Sequence, residues 1–263
     1  MTANIQVTAN IDTGEIDELL IAELRRLGDA LDYEGYLKRL YAALDNVRTV
    51  ECGEPLVPLN ADTLCARLSL QLVSLGIPTD EGGRAFLRRG VVDRLNDAAR
   101  SLPTGYSLII RDALRTRRNV LDLYQKYSER LKAEKPTLSA RDIDLEIRNV
   151  LAMPDSPVPP GHMTGGAVDV VLGDANGHRV DVELPADRMP RKLQAPTLCP
   201  GLPPELIERR TILHQAMTRH DFHNYFKEYW HFSYGDAYWA VRRKVKVAIY
   251  GIANAPLSTS RLD

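Results

Sequence analysis

Residues 153–166, MPDSPVPPGHMTGG, limit what this chain can fold into more than any other stretch. Its prolines have no amide to give to a helix or a sheet, and its glycines admit dihedrals that other residues avoid. Neither kind of element can run through it, so it reads as a loop. It leads straight into residues 167–172, AVDVVL, an apolar run of strand length. The Asp-Ala-Asn-Gly sequence at 174–177 then turns the chain back toward Val180 and Val182.

Upstream of the loop the spacing is mostly helical. Ile16, Leu19, Leu20, Leu24, Leu27 and Leu31, then Leu37, Leu40, Tyr41 and Leu44, recur every three or four positions with Gly35 between the two sets, which predicts a helical hairpin. A helix pair with apolar faces needs burial, so residues 1–80 are expected to be an N-terminal helical extension packed on a main body of residues 81–263. A lid or a partner surface is the alternative. Residues 53–78 are punctuated by proline and glycine around an apolar segment, LCARLSLQLVSL. Phe86, Leu87, Val91, Leu95 and Ala98 mark a further amphipathic helix, ended by Leu-Pro-Thr-Gly at 102–105. Tyr106, Leu108 and Ile110 alternate with Ser107, Ile109 and Arg111 as a short strand, after which 119–132 and 139–151 are helical again. Ser139 with Asp142 three positions on resembles a capping box. After the hairpin come a proline-rich loop at 185–204, a helix at 205–219 and strand-like stretches at 229–232 and 245–250. Long helices mixed with short strands, without regular βαβ alternation, predict an α+β fold with a central antiparallel sheet flanked by helices.

Charge narrows the functions open to such a fold. Lys and Arg number 34 against 35 Asp and Glu, a net charge of -1, so no general field draws the chain to phosphate backbones or anionic lipid. Neither nucleic acid nor membrane is expected as a partner, while a homo-oligomer is left open. The N-terminus lacks a basic start and an unbroken apolar run, and no stretch approaches the roughly 18 apolar residues needed to cross a bilayer. Cys52, Cys65 and Cys199 are odd in number and unpatterned, which fits reduced thiols and a cytoplasmic location.

Two of the six histidines sit in contexts unlike the rest. His162 follows a rigid Pro-Pro-Gly and has Asp169 seven positions on, across a Gly165-Gly166 pair that can bend the backbone so both side chains reach one point. His231 has Glu228 three positions before it, among Tyr229, Trp230 and Phe232, aromatics able to wall a polar site. Two imidazoles and a carboxylate suit zinc, which accepts N and O ligands at about 2.0–2.2 Å and keeps a fourth position for water when three come from the protein. A carboxylate outside that shell can move protons during hydrolysis, the role open to Glu228. Positions three apart on a regular strand face opposite sides, so Glu228 and His231 can meet one ion only if the chain bends near Glu228. His178, His214, His220 and His223 are accounted for by a turn, a helix and a polar loop, with His223 the nearest rival ligand.

Taken together, GHMTGGAVDV at 161–170 and EYWHFSYGD at 228–236 resemble the two signatures of the zinc D-alanyl-D-alanine dipeptidases, the VanX-type enzymes of vancomycin resistance. His162, Gly165, Ala167 and Asp169 fall on the pattern Ser-x-His-x-x-Gly-x-Ala-x-Asp, and Glu228, Trp230 and His231 on Glu-x-Trp-His. A third element, a strand ending in Asp-x-x-Arg, is matched by IIRDALR at 109–115. The resemblance, from about Phe86 to Trp239, implies a DD-peptidase or hedgehog-like fold, one zinc held by His162, Asp169 and His231, Glu228 as general acid/base and Arg115 as the transition-state arginine. It also implies a small peptide substrate, D-alanyl-D-alanine itself or one like it, from cell-wall metabolism. The alternative for Arg115 is a helix-start salt bridge with Asp112, and the match of the other motifs favours the catalytic role.

The chain departs from the family at several positions. Pro160 stands where the family has serine and offers neither hydroxyl nor amide, Thr116 replaces the usual proline, and Glu183 stands where glycine is common. The family's ammonium-binding acid follows a proline, which makes Asp187, after Pro185 and Ala186, its nearest equivalent. A related zinc peptidase or amidase acting on a larger peptide or a D-amino-acid-containing metabolite, and a binding protein that retains a structural metal, are the alternatives.

Overall fold

The computed structural model describes residues 33–72 and 84–254, apart from 149, 190, 198 and 200. The first helix of the expected hairpin lies outside the described residues. Its second half is helix α1 (Tyr33–Asp45), whose Leu40 is buried and whose Leu44 packs on the main core. Strands β1 (Arg48–Thr49), β2 (Leu56–Pro58) and β3 (Leu68–Leu70) follow, where a helical extension was expected. Next come β4 (Phe86–Arg88), α2 (Arg89–Ser101), β5 (Tyr106–Asp112), α3 (Arg117–Glu134) and α4 (Ala140–Arg148). The loop carries a single helical turn, α5 (Gly161–Thr164), before β6 (Ala167–Asp174). The chain continues with α6 (Arg191–Gln194), α7 (Pro204–Thr218), β7 (His223–Asn224), β8 (His231–Ser233), α8 (Ala237–Arg242) and β9 (Val247–Ala248).

A five-stranded sheet in the order β3-β5-β6-β8-β7 forms the centre. The expected antiparallel arrangement holds for β5 with β6, β6 with β8 and β7 with β8, but β3 runs parallel to β5, so the sheet is mixed. The cause is the connection. Between β3 and β5 the chain passes through α2, and such a helical crossover returns a strand in the same direction, where a tight turn would reverse it. Two small pairs lie outside this sheet: β2 with β4, antiparallel, and β1 with β9, parallel.

Local chemistry explains the element ends. Thr116 caps α3 by accepting from the Asn119 amide while the Asn119 side chain accepts from the Thr116 amide. Ser139 accepts from the Asp142 amide at 3.2 Å, as its sequence context suggested. Phe86 and Leu87, expected at the start of a helix, belong to β4 because Phe86, Leu87 and Arg88 are all buried, and a paired strand satisfies their backbone there. The turn at 174–177 forms, but the return toward Val182 amounts to one bridge, Gly173 to Arg179.

Val91, Leu95 and Ala98 of α2 and Leu213, Ala216 and Met217 of α7 share one core with Leu108, Ile110, Val170 and Leu172 of the sheet. A second cluster joins α3 and α4 to Met163 in α5. Among the described residues no helix is long and apolar enough to cross a membrane.

Candidate active site

Strand register builds most of the site. Asp169 on β6 stands directly opposite Asp112 of β5 on one side and His231 of β8 on the other. Side chains so paired leave the same face with Cβ atoms about 4.5–5.5 Å apart, so a carboxylate and an imidazole meet without any long-range bend. An irregularity between Ile110 and Asp112 brings Asp112 into this row. His162 arrives from α5, which Gly165 ends in the left-handed region at φ 72°, a conformation that releases the chain at once into β6.

Three donor atoms converge. His231 Nδ1 lies 3.0 Å from Asp169 Oδ1 and 3.1 Å from His162 Nε2, and His162 Nε2 lies 3.3 Å from Asp169 Oδ1. His162 Nδ1 sits 2.8 Å from the Ala113 carbonyl, so a neutral ring donates there and turns its Nε2 lone pair toward the other two. Tetrahedral ligands at about 2.0–2.2 Å from an ion stand roughly 3.3–3.6 Å apart, close to the spacing of these three atoms. The donor set of two imidazole nitrogens and one carboxylate oxygen fits a divalent cation.

The two neighbouring carboxyls are driven in opposite directions. Burial would raise Asp169, but His162 and His231 outweigh it and hold the group far below the usual carboxylate range. His231 is raised, because the bond and charge of Asp169 overcome the effect of burial. Glu228 is raised, chiefly by burial, with Asp169 adding to it against the pull of His231, His162 and Arg115. Such a split between neighbouring acids is how a site separates a permanently ionised group from one that can carry a proton.

Glu228 occupies the turn before β8, where its amide donates to the Tyr225 carbonyl and its carbonyl accepts from His231. This is the bend the spacing required, since the strand expected from 229 begins only at His231. Glu228 Oε2 is 4.0 Å from His231 Nδ1. Arg115 follows β5, donates its amide to the His162 carbonyl at 2.9 Å, and reaches Asp112 Oδ2 with Nη2 at 2.7 Å and Nε at 3.1 Å. Burial works against its charge, but Asp112, Asp169 and Glu228 outweigh burial and raise its pKa. The Asp112 ion pair and a place beside the site are therefore both true of Arg115.

Asp187 is exposed on the turn at 185–189, and among the described residues no hydrogen bond or ion pair joins it to the group around Asp169. Glu183 accepts from the Tyr229 hydroxyl at 2.8 Å and faces Arg179 at 3.4 Å. His223 lies on β7, outside the His162, Asp169 and His231 group.

Two participants, Tyr225 and Asn224, escaped the sequence reading, and a third, Asp112, was named there as an ion-pair partner of Arg115. The Tyr225 ring packs edge-on against His231, with centroids 5.9 Å apart, and its phenol is raised first by burial and then by the Tyr41 hydroxyl of α1 and the Glu228 charge. Asp112 anchors Arg115. Buried Asn224 donates to the carbonyls of Glu228 at 3.0 Å and His231 at 2.9 Å, pinning both ends of the turn that carries them. Proximity to Glu-x-x-His was the one local clue to Asn224.

Comparison with known proteins points to one family. A protein of Synechocystis sp. (strain ATCC 27184 / PCC 6803 / Kazusa), described as a D-alanyl-D-alanine dipeptidase, is 29% identical over an alignment of 239 residues, covering 76% of this chain and 92% of the relative. The family model described as D-Ala-D-Ala dipeptidase matches residues 77–248, which include β5, β6 and β8 and every side chain of the metal-capable group. The chain belongs to the D-Ala-D-Ala dipeptidase family of peptidases.

Proposed function

We propose that this chain is a zinc dipeptidase that hydrolyses D-alanyl-D-alanine or a similarly short peptide. His162, Asp169 and His231 are the metal ligands, Glu228 the general acid/base and Arg115 the partner of the developing oxyanion. The observation that carries the reading is the mutual approach of three ligand atoms within 3.0–3.3 Å, beside a carboxyl whose pKa is pushed the other way. The activity ascribed to the Synechocystis relative supports the substrate class.

When bound, zinc would supply a Lewis acid that lets a water give up its proton and act as a nucleophile near neutral pH. Glu228 takes the proton of the attacking water and hands it to the leaving amine, and its raised pKa narrows the gap between those two duties. Arg115 neutralises the charge that builds on the carbonyl oxygen, an effect worth about 2.7–4 kcal/mol for one donor. Asp112 fixes the direction of that guanidinium, and the Ala113 carbonyl fixes the tautomer of His162. The Tyr225 ring shields one side of His231 from water.

A second reading, a related peptidase for longer or N-capped peptides, is favoured by one feature: buried Pro160 at the N-cap of α5 has no donor for a substrate carboxylate. Zinc-loaded protein should release amine from some member of a panel of L,L, L,D and D,D dipeptides. Faster cleavage of longer or N-capped peptides would select the second reading, and no turnover of any substrate with metal bound would remove both. Glu228→Ala should lower turnover by about 10²-fold or more while zinc stays bound. Loss of metal or fold in that variant would indicate a structural site.

A further inference from the structure

The backbone that carries His162 is held from outside the sheet. Four successive carbonyls of the 162–165 turn each accept from a distant part of the chain: His162 from the Arg115 amide, Met163 from the Ala253 amide, Thr164 from Arg88 Nε and Gly165 from the Arg88 amide, at 2.8–3.1 Å. Arg88 therefore supplies two of the four restraints. Its side chain is 7% exposed and spends its remaining donors on Glu51, with Nη1 to Oε1 at 3.0 Å and Nη2 to Oε2 at 2.8 Å, on the Glu54 carbonyl at 2.6 Å and on the Gly251 carbonyl at 3.4 Å. Glu51 in turn accepts from the Gly53 and Gly251 amides, each at 2.8 Å, and the Tyr250 ring lies under the guanidinium, 5.1 Å from Cζ. Tyr250 also donates its hydroxyl to Glu54. Glu51, Glu54, Tyr250, Gly251 and Ala253 all lie outside the family match at 77–248.

We infer that Arg88 is a positioning residue for the metal ligand His162, and that Glu51, with the segments 51–54 and 250–253, forms a brace that sets metal affinity from outside the matched region. The inference rests on the reading of His162 as a ligand. A one-turn helix has too few internal hydrogen bonds to fix its own orientation, so the direction of the His162 side chain is settled by what grips its carbonyls. Only a planar fork can reach Thr164 with Nε while both terminal nitrogens engage one carboxylate, so lysine at position 88 could not do the same work. Partners that orient a ligand in this indirect way commonly change metal affinity by about 10–100-fold.

The test is a zinc titration of metal-free protein against a chromogenic chelator, with cobalt spectra taken in parallel, on wild type, Arg88→Lys, Glu51→Gln and Arg67→Met. Arg67 is the control for simple destabilisation, because it also forks onto backbone carbonyls, of Leu102, Pro103 and Tyr106, but at the end of β5 away from Asp112. The expected result is zinc affinity about tenfold or more weaker for Arg88→Lys. Glu51→Gln should weaken in the same direction, both with altered cobalt bands, while Arg67→Met binds as wild type despite a lower melting temperature. Should Arg88→Lys not fold, Glu51→Gln decides alone, its side chain being 42% exposed. Affinity within about twofold of wild type in the folded variants, loss comparable to that of Arg67→Met, or unfolding of both brace variants before metal is added would each overturn the inference. A wild-type chain that takes up no metal would instead bring down the metal centre, and the brace with it.

Discussion

Arginine at position 115 does what lysine could not, reaching one oxygen of Asp112 through both Nε and Nη2 while its charge stays beside Asp169 and Glu228. Arg115→Lys should therefore cost about 10²–10³ in kcat with zinc content unchanged, measured by steady-state kinetics beside metal analysis. Asn224→Ala should leave the carbonyls of Glu228 and His231 without their shared donor and lower stability by about 1–3 kcal/mol, read from denaturant midpoints. Glu51 gives a pH signature. Burial alone would raise its pKa, but the amides of Gly251 and Gly53 and the charge of Arg88 bring it below its ordinary value of 4.5. Stability from this group is present above that value and lost as pH falls through the lowered one, so the gap in denaturant midpoint between wild type and Glu51→Gln should close as pH drops from 7 to 3. At this scale the sequence was most informative where residue type and spacing coincide. His162, Asp169 and His231 could be picked out, whereas Asn224 and Arg88 act through backbone carbonyls that leave no mark in a side-chain pattern.

Elements read less evenly. Strands β5 and β6 and helices α3, α4 and α7 follow from local periodicity and caps, because their stability is decided within a few neighbouring residues. Strands β1, β2, β4 and β9 are two or three residues long and exist only because a distant segment pairs with them, so no window of sequence contains their cause. The same is true of β3, whose parallel pairing makes the sheet mixed. At the junction of α5 and β6, Gly166 is fixed by contact, since a Cβ there would collide with the Tyr234 carbonyl oxygen and press on Thr164 Oγ1. Gly166→Ala should push β6 from the residues before α8 and cost on the order of 1–3 kcal/mol, checked by thermal melting, with zinc affinity falling as well.

For the molecule as a whole, metal and fold should be linked. The proposed ligands come from α5, β6 and β8, so an ion bound to all three is bound only by the folded chain. Free zinc at about a hundred times its dissociation constant should stabilise the protein by about 2.7 kcal/mol, or roughly 5–10 °C in melting temperature. A fluorescence melt across a zinc series would show it, with His231→Ala abolishing the rise and Glu228→Ala keeping it. Family membership was legible in the motifs between Phe86 and Trp239, and the matched region extends further on both sides, to 77 and 248. The brace on α5 was not legible, because it joins positions about two hundred apart, Glu51 and Gly251. The row of Asp112, Asp169 and His231 has one more effect. A sheet paired one position out of step could still bury valines, but Asp169 would then point to the opposite face and no ion could be gripped. Uptake at the proposed metal centre would thus count correctly threaded molecules, and a preparation containing slipped chains would lose zinc stoichiometry in proportion while its surviving molecules kept full affinity.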